Sequence, residues 1–531
     1  MRIRTAVLVC VATAAVMTAQ PVINPVGAGN AGSMIARGLP GAGIAQGARI
    51  AIMGKDLGPA EAATRGFPLS AEPLGGVSIK VEVGGSTVDA WVVLASASRL
   101  EAVLPSSTPV GSARITVSYQ DRSATTPAEV VKARFGISTR TNTGIGAARA
   151  ASEDSIDITP LAAAKPGQRI VLTGTGLGPV EGDEAAGPVS GELTAVLEVR
   201  IGGKVVNVIS KGRSEAPGMD RVVVEVPEVS GCNVPVVAST DGVYTNFATI
   251  AVGADGRCSD ETGFSQADFD RFPTSGTART GSISLSRTSM AVEGFSLTSH
   301  AASGGFQEWT ASDLFQTGGL DVLPSLGSCF VLRFAATEEA FPEFRWKNLD
   351  AGPALTITGP RGSRPMPKRD GVYSADLGQS LPIPGAPSTA FLDPGEYTVT
   401  GPGGADVGAF SAKIRIGAAI DWTNRQALGT VPRGQDLQVT WTGGTDSEYV
   451  WVNGTSATEQ AAQAVTFVCL ERATAGRLTV PSYVLSQLPA GDGVLMVFSA
   501  PFRAGNAFQA SGIDAGYITA TSGSGRTSSF R

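Results

Sequence analysis

A block of sequence that occurs twice limits the fold of this chain more than any other feature. Gly47-Ala-Arg-Ile50-Ala-Ile52-Met-Gly54-Lys-Asp-Leu57-Gly58-Pro59 returns as Gly167-Gln-Arg-Ile170-Val-Leu172-Thr-Gly174-Thr-Gly-Leu177-Gly178-Pro179, every matched position displaced by 120. Val83-Gly84-Gly85 then pairs with Ile201-Gly202-Gly203, Val103-Leu104-Pro105 with Glu225-Val226-Pro227, and Gly111 with Gly231. Four separated blocks in the same order, with small drifts in offset, mean two copies of one domain.

Each block reads as a piece of β-structure. Ile50 and Ile52, and again Ile170 and Leu172, alternate with polar-type positions, which puts one face of a strand on a core. Leu-Gly-Pro then ends the strand, because proline cannot donate to a ladder. Val81 and Val83, like Val199 and Ile201, lead into Gly-Gly, a tight hairpin signal. Short strands with turn signals every ten or so residues predict an all-β sandwich.

The run G-x-x-I-x-I-x-G-x-x-L-G, the strand-Gly-Gly-strand block, Val-Pro, and Thr245-Asn246 before the last strand resemble the immunoglobulin-like IPT/TIG domain. Gly174-Thr-Gly-Leu-Gly-Pro179, Arg221-Val-Val-Val-Glu-Val-Pro227 and Gly231-Cys-Asn-Val-Pro-Val236 are similar to an uncharacterised form of it found in secreted acidobacterial proteins. The resemblance covers about residues 22–256 and implies tandem Ig-like sandwiches. Its motifs are turn and core residues, so it implies fold and no ligand.

The organisation expected from sequence is a signal peptide at 1–19, a first TIG-like domain at 20–135, a linker at 136–153, and a second TIG-like domain at 154–258. A linker at 259–280 with one short helix near Ser265 to Phe272, a β-rich domain at 281–420 and a C-terminal β-sandwich at 421–531 follow. The signal reading rests on Arg2 and Arg4 before the thirteen apolar-type residues Thr5 to Met17, too short a run to cross a bilayer. No membrane span is expected, and export to the periplasm, cell surface or medium is.

Composition narrows function by exclusion. Lys+Arg 41 against Asp+Glu 47 gives a net charge of −6, which offers no broad attraction to phosphate backbones and argues against nucleic acid as a partner. A single histidine, His300, rules out multi-histidine metal sites. No G-x-S-x-G elbow accompanies it, so His300 is expected in an exposed loop. Gly27-Ala-Gly29-Asn-Ala-Gly32 matches G-x-G-x-x-G, but it follows the expected cleavage site and Pro40 cuts off any helix after about seven residues, so the βαβ setting of a phosphate cradle is not expected. No cofactor or metal is expected.

The carboxylates Asp260-Glu261, Glu338-Glu339 and Glu343 would suffice by type for a glycosidase pair, although neighbours on a strand point to opposite faces, and solvated charge is the simpler reading. Asn453-Gly-Thr455 reads as a turn. In the C-terminal half, Leu349-Asp-Ala-Gly352 with Leu355-Thr-Ile-Thr-Gly-Pro360 and Leu392-Asp-Pro-Gly395 with Tyr397-Thr-Val-Thr-Gly-Pro402 form a weaker strand-turn repeat.

Five of six Trp lie after residue 300. Tyr449 and Trp451 share a strand face opposite Val450 and Val452, so Tyr449, Trp451 and Trp441 are the candidate ligand-binding aromatics. The function expected is a non-enzymatic extracellular or cell-surface interaction or adhesion role, its partner an extracellular protein or polysaccharide. The rival is a secreted hydrolase or carbohydrate-binding protein with its site in residues 280–531.

Once the signal is removed, Cys232, Cys258, Cys329 and Cys469 remain, an even number in a disulfide-permissive compartment. A hairpin turning at Asp241-Gly242 returns the chain toward Cys232 and favours Cys232 with Cys258. Cys329 with Cys469 follows by elimination.

Overall fold

The computed structural model describes residues 20–272, 276–292, 295–310, 323–335, 346–380, 388–458 and 463–531; the expected signal peptide lies outside them. Within these residues the architecture is all-β, a series of sandwiches.

The first domain is one continuous sheet folded on itself. In strand Ser86–Ala95, residues up to Ala90 pair with Val77–Val83, whereas Trp91 onward pairs with Arg99–Val103, so a single strand serves both layers. Ile50, Ile52, Val81, Ile115 and Val117 fill the space between. The second domain keeps two separate sheets. Arg169–Thr175, Asp220–Glu225 and Val208–Arg213 face Leu197–Ile201, Gly231–Thr240 and Val243–Val252 across Ile170, Leu172, Val199 and Ile201. The repeated Gly-Gly pairs sit at positive φ, 56° and 86° at Gly84 and Gly85 and 58° and 81° at Gly202 and Gly203. That left-handed pair is the turn a two-residue hairpin needs and explains why both copies place glycine there.

Residues 136–153, read from sequence as a linker, are built into the second domain. Gly136–Ile137 and Ala150–Ser152 both pair with Arg169–Thr175. The segment is clamped from two sides. Asn246 takes the Ile137 N–H on Oδ1 at 3.0 Å and donates from Nδ2 to the Ile137 and Gly144 carbonyls, while Thr245 Oγ1 donates to the Phe135 carbonyl at 2.6 Å. From the first domain, buried Asn30 donates to the carbonyls of Arg134 and Thr175, both at 2.9 Å, and accepts from the amides of Gly32 and Ser33. Gly32 lies against the Gly136 carbonyl so closely that a Cβ would overlap it. The glycine run around Asn30 therefore serves close packing of two domains.

The second expected linker, 259–280, is also packed over residues 259–272. Ser265 caps helix Gln266–Arg271 in a capping box. Phe264, Phe269 and Phe272 meet edge to face, and Phe264 reaches Tyr517, joining the second-domain core to the last strand of the chain.

The expected boundary between 281–420 and 421–531 is not a boundary between sheets. Ala515–Phe530 pairs antiparallel with Gly491–Pro501 on one side and parallel with Thr277–Val292 on the other, uniting both regions in one sheet. Cys329–Ala335 belongs by sequence to the first region, yet it forms an edge beside Gln463–Arg472. Alternation of side chains reveals a strand's faces but not its neighbours, so these pairings escape a local reading. The two copies of the weaker repeat lie side by side, Ile357 opposite Val399. Asn453-Gly-Thr455 is mid-strand within Glu448–Ala457 and is no turn.

Both disulfides are present. Cys232–Cys258 closes a separation of 26 and Cys329–Cys469 one of 140, worth roughly 3 to 5 kcal/mol each through the entropy removed from the unfolded chain.

Asn30→Ala is expected to destabilise the protein by about 2–4 kcal/mol, because it strands buried carbonyls and amides on both domains. Chemical denaturation followed by fluorescence checks it, and a change below about 0.5 kcal/mol would remove Asn30 from its place at the junction.

Candidate functional site

The three candidate aromatics separate by depth. Trp441 lies in the core, 2% exposed, with Nε1 donating to the Ala473 carbonyl at 2.8 Å. Tyr449 is buried between Trp451 and Phe502, ring centroids 5.8 and 5.5 Å away, and burial pushes its hydroxyl above the usual phenol range. Only Trp451 is half-exposed. It stacks on Phe498 of the neighbouring strand at 4.8 Å, with planes 14° apart. Val450 and Val452 point the other way and are fully buried. The shared face read from sequence is there, but Tyr449 is covered and Trp441 belongs to the interior.

The surface around Trp451 continues across the sheet. Phe498 lies over Gly523 and Met290 against Gly525 so closely that a Cβ at either glycine would overlap them, and Met496 flanks Gly525 from the other strand. Trp451, Phe498, Met496 and Met290 are all half-exposed and form an apolar strip over three adjacent strands and their neighbour Thr277–Val292. Phe498 and Met496 share one face of a period-two run, a signal the sequence did contain.

His300 is not in an exposed loop. It lies in strand Phe295–Thr310, 6% exposed, and Nδ1 accepts the Leu392 N–H at 2.9 Å. The polar-looking stretch around it is a strand whose outward residues are Leu297, Ser299, Ala301 and Ser303. Burial, aided by the positive charge of Arg287 opposite, lowers its pKa below the ordinary imidazole value. A ring nitrogen that accepts an amide proton holds the imidazole neutral with the proton on Nε2.

Asp260 and Glu261 diverge as adjacent residues should. Glu261 turns to Arg472, whose Nη2 sits 2.6 and 2.8 Å from its two oxygens, and Arg472 also lies 5.3 Å over the Phe502 ring. Asp260 turns inward, contrary to the solvated reading: Oδ2 accepts the Cys232 N–H at 2.8 Å and Oδ1 the Ser325 hydroxyl at 3.4 Å. Burial pushes its carboxyl up to about 6 despite hydrogen bonds from the Cys232 and Asn233 amides. Both residues line a cleft of about 390 Å3 with Lys204, Glu228 and Arg472. Glu338, Glu339 and Glu343 lie outside the described residues. Among the described residues no group of three or more His, Cys, Asp or Glu is placed to hold a metal, and no helix is long and apolar enough to cross a membrane, which says nothing of β-barrels.

The strand pairing defines a multidomain β-sandwich protein whose first two modules repeat one sequence pattern. No family profile matches the chain, and no curated protein matches it. Among solved structures it is similar to a tandem of titin Ig domains (8% identity, 40% of this chain and 90% of that one, TM-score 0.12). Invasin, a bacterial integrin-binding protein, matches at 12% identity over 87% and 74%, TM-score 0.14. The Bacteroides ovatus glucan-locus protein SGBP-B, in complex with a mixed-linkage heptasaccharide, matches at 8% over 72% and 73%, TM-score 0.12. At scores this low the fold assignment rests on the strand pairing itself.

Because His300 is the only histidine in the chain, its ring is a clean probe. Nitrogen-detected NMR is expected to show the neutral Nε2–H form at pH 6.5 and a titration midpoint below that value. The sign for stability follows: as pH falls below about 6.5 the unfolded chain takes up the proton first, so stability is lost in that window. A midpoint above 6.5 would contradict the buried acceptor geometry.

Proposed function

We propose that this chain is a non-enzymatic, exported interaction protein of adhesion type, working outside the cell or at its surface. The observation that carries the reading is the filling of each module boundary: Asn30 and Asn246 at the first junction, the Phe264 cluster at the second, and one sheet through the rest. A chain joined in this way holds its surfaces in fixed relation, as a scaffold for contact requires. Two disulfides suit an oxidising compartment, as does the signal-like N-terminus. The TIG resemblance of the first two modules is in keeping with this role.

The strip centred on Trp451 is the surface we assign to the partner, an extracellular protein or a polysaccharide. Half-exposed aromatics beside Met supply apolar contact area at low entropic cost. The rival carbohydrate-binding reading uses the same residues, while the rival hydrolase reading needs two converging carboxylates, and Asp260 and Glu261 diverge.

Trp451→Ala is expected to reduce retention on intact bacterial or host cell surfaces at least tenfold at a stability cost of about 1 kcal/mol. Trp441→Ala should instead cost about 3–5 kcal/mol, as a core truncation does. Electrophoresis through gels containing soluble glucans separates the partner classes: retardation that Trp451→Ala abolishes favours a polysaccharide. Retention on cells that Trp451→Ala leaves unchanged would overturn the assignment of the strip.

A further inference from the structure

The Asp260 cleft brings together three parts of the chain far apart in sequence. The first is strand Gly231–Thr240 of the second domain, whose Cys232 amide donates to Oδ2 of Asp260. The second is the segment after Cys258, which carries Asp260 two residues beyond the disulfide to Cys232. The third is the turn at 325–328, which precedes Cys329 and is tied back to both neighbours. Ser325 N donates to the Asn233 carbonyl at 3.2 Å, and Gly327 N to the Leu470 carbonyl at 2.9 Å. Ser325 Oγ completes the set by donating to Oδ1 of Asp260. The fit is close: a Cβ at Gly231 would overlap Ser325 Oγ and come within 2.8 Å of Asp260 Oδ1.

The charges around this carboxylate leave it without an ionic partner among the described residues. Arg472, on strand Gln463–Arg472, is bidentate on Glu261, and Lys204 donates to the Glu228 carbonyl at 2.6 Å. Glu261 adds a negative charge next door, and Glu228 lines the same cleft. An ionised Asp260 is thus held by neutral donors alone in a half-closed cleft, where charge is costly. A neutral Asp260 keeps the Cys232 bond through its carbonyl oxygen and can give its own proton to Ser325 Oγ.

We propose that this cleft is an acid-tightened seam between the second Ig-like domain and the sheet that carries Arg472, with Asp260 as its proton-sensing group. The sign is fixed by linkage. Closing the seam buries the carboxyl and raises its affinity for a proton, so protonation favours the closed form. Between pH 5 and 7.5 the closed-to-open ratio falls by about tenfold as Asp260 ionises. Acid tightens the seam and neutral pH loosens it. An exported scaffold would thereby stiffen at this boundary in acidic surroundings.

Hydrogen–deuterium exchange of the full oxidised chain at pH 5.0 and 7.5, corrected for intrinsic exchange, tests this. Amides of 230–236 and 325–332 are expected to lose about tenfold in protection at the higher pH, while those of Ile50–Ile52 in the first domain do not change. Asp260→Asn should hold the same peptides at high protection at both pH values. Glu261→Gln should retain the step. Unchanged protection in the native chain, a step that persists in Asp260→Asn, or a step abolished by Glu261→Gln would each overturn the proposal. Should Asp260→Asn fail to fold, Ser325→Ala is the second variant. Loss of the Oδ1 contact removes a donor to the ionised carboxylate, so the step should be at least as large as in the native chain and centred at higher pH, and a step reduced by half or more overturns the proposal.

Discussion

The order of this molecule depends on a short segment, residues 134–137, held by side chains of both Ig-like domains. Asn30 reaches it from the first domain, Thr245 and Asn246 from the second. Asn30 makes four hydrogen bonds and so uses the full capacity of a primary amide, two donors and two acceptor lone pairs. A hydrophobic contact at this place would tolerate sliding, whereas a fully satisfied amide fixes direction and distance together. Arg49 adds to the same junction, its N–H donating to Thr175 Oγ1 at 2.8 Å and its Nε to the Pro217 carbonyl at 2.8 Å. The two repeats are thus similar in fold but not independent in space.

The second domain then carries the rest of the chain on its outer sheet. Phe247 and Tyr244 lie 6.3 and 5.2 Å from the Tyr483 ring, and Arg200 sits 4.8 Å above it. Val237 and Phe247 share one core with Ile35, Leu39, Trp441 and Val450. That core also takes in Phe330 and Val331, and so draws on regions which sequence assigns to four domains. The aromatic residues counted as excess in the C-terminal half are largely consumed here, which is why only one of the three candidates reaches the surface.

What was legible in the sequence follows from what is local. Ile50, Ile52, Ile170 and Leu172 declare a buried face because alternation depends only on the strand itself. Gly84-Gly85 and Gly202-Gly203 declare a hairpin because the turn demands positive φ within two residues. The depth of Asp260 was not legible, since it is set by a strand some thirty positions before it and a turn some sixty-five after it. His300 was misread for a related reason. Small residues such as Ser299, Ala301 and Ser303 on one face of a long strand look like a loop until the buried face is seen to hold Ala302 and Phe306. The linkers were misread because small and polar residues can mark flexible chain or close contact, and at Gly32 and Gly136 they mark contact.

The last strand shows how composition that looks weak can serve as a seam. Ala515–Phe530 is rich in Gly and Ser, of which Gly is depleted in strands and both give an interior strand little side chain to pack. Its neighbours compensate. Phe498 lies down over Gly523, Phe508 over Gly516, and Met290 with Met496 over Gly525, so large side chains from flanking strands cover backbone that glycine leaves bare. Cations bind its carbonyls and borders: Arg425 Nη2 donates to the Gly525 carbonyl at 2.8 Å, and Arg526 returns to the carbonyls of Arg425 and Gln426. Phe530 anchors the far end, fully buried. With one edge antiparallel to Gly491–Pro501 and the other parallel to Thr277–Val292, this strand pairs segments more than two hundred residues apart. Without it, neither half of the C-terminal region has a complete sheet, and the strip around Trp451 loses Gly523 and Gly525, the floor on which Phe498, Met496 and Met290 lie.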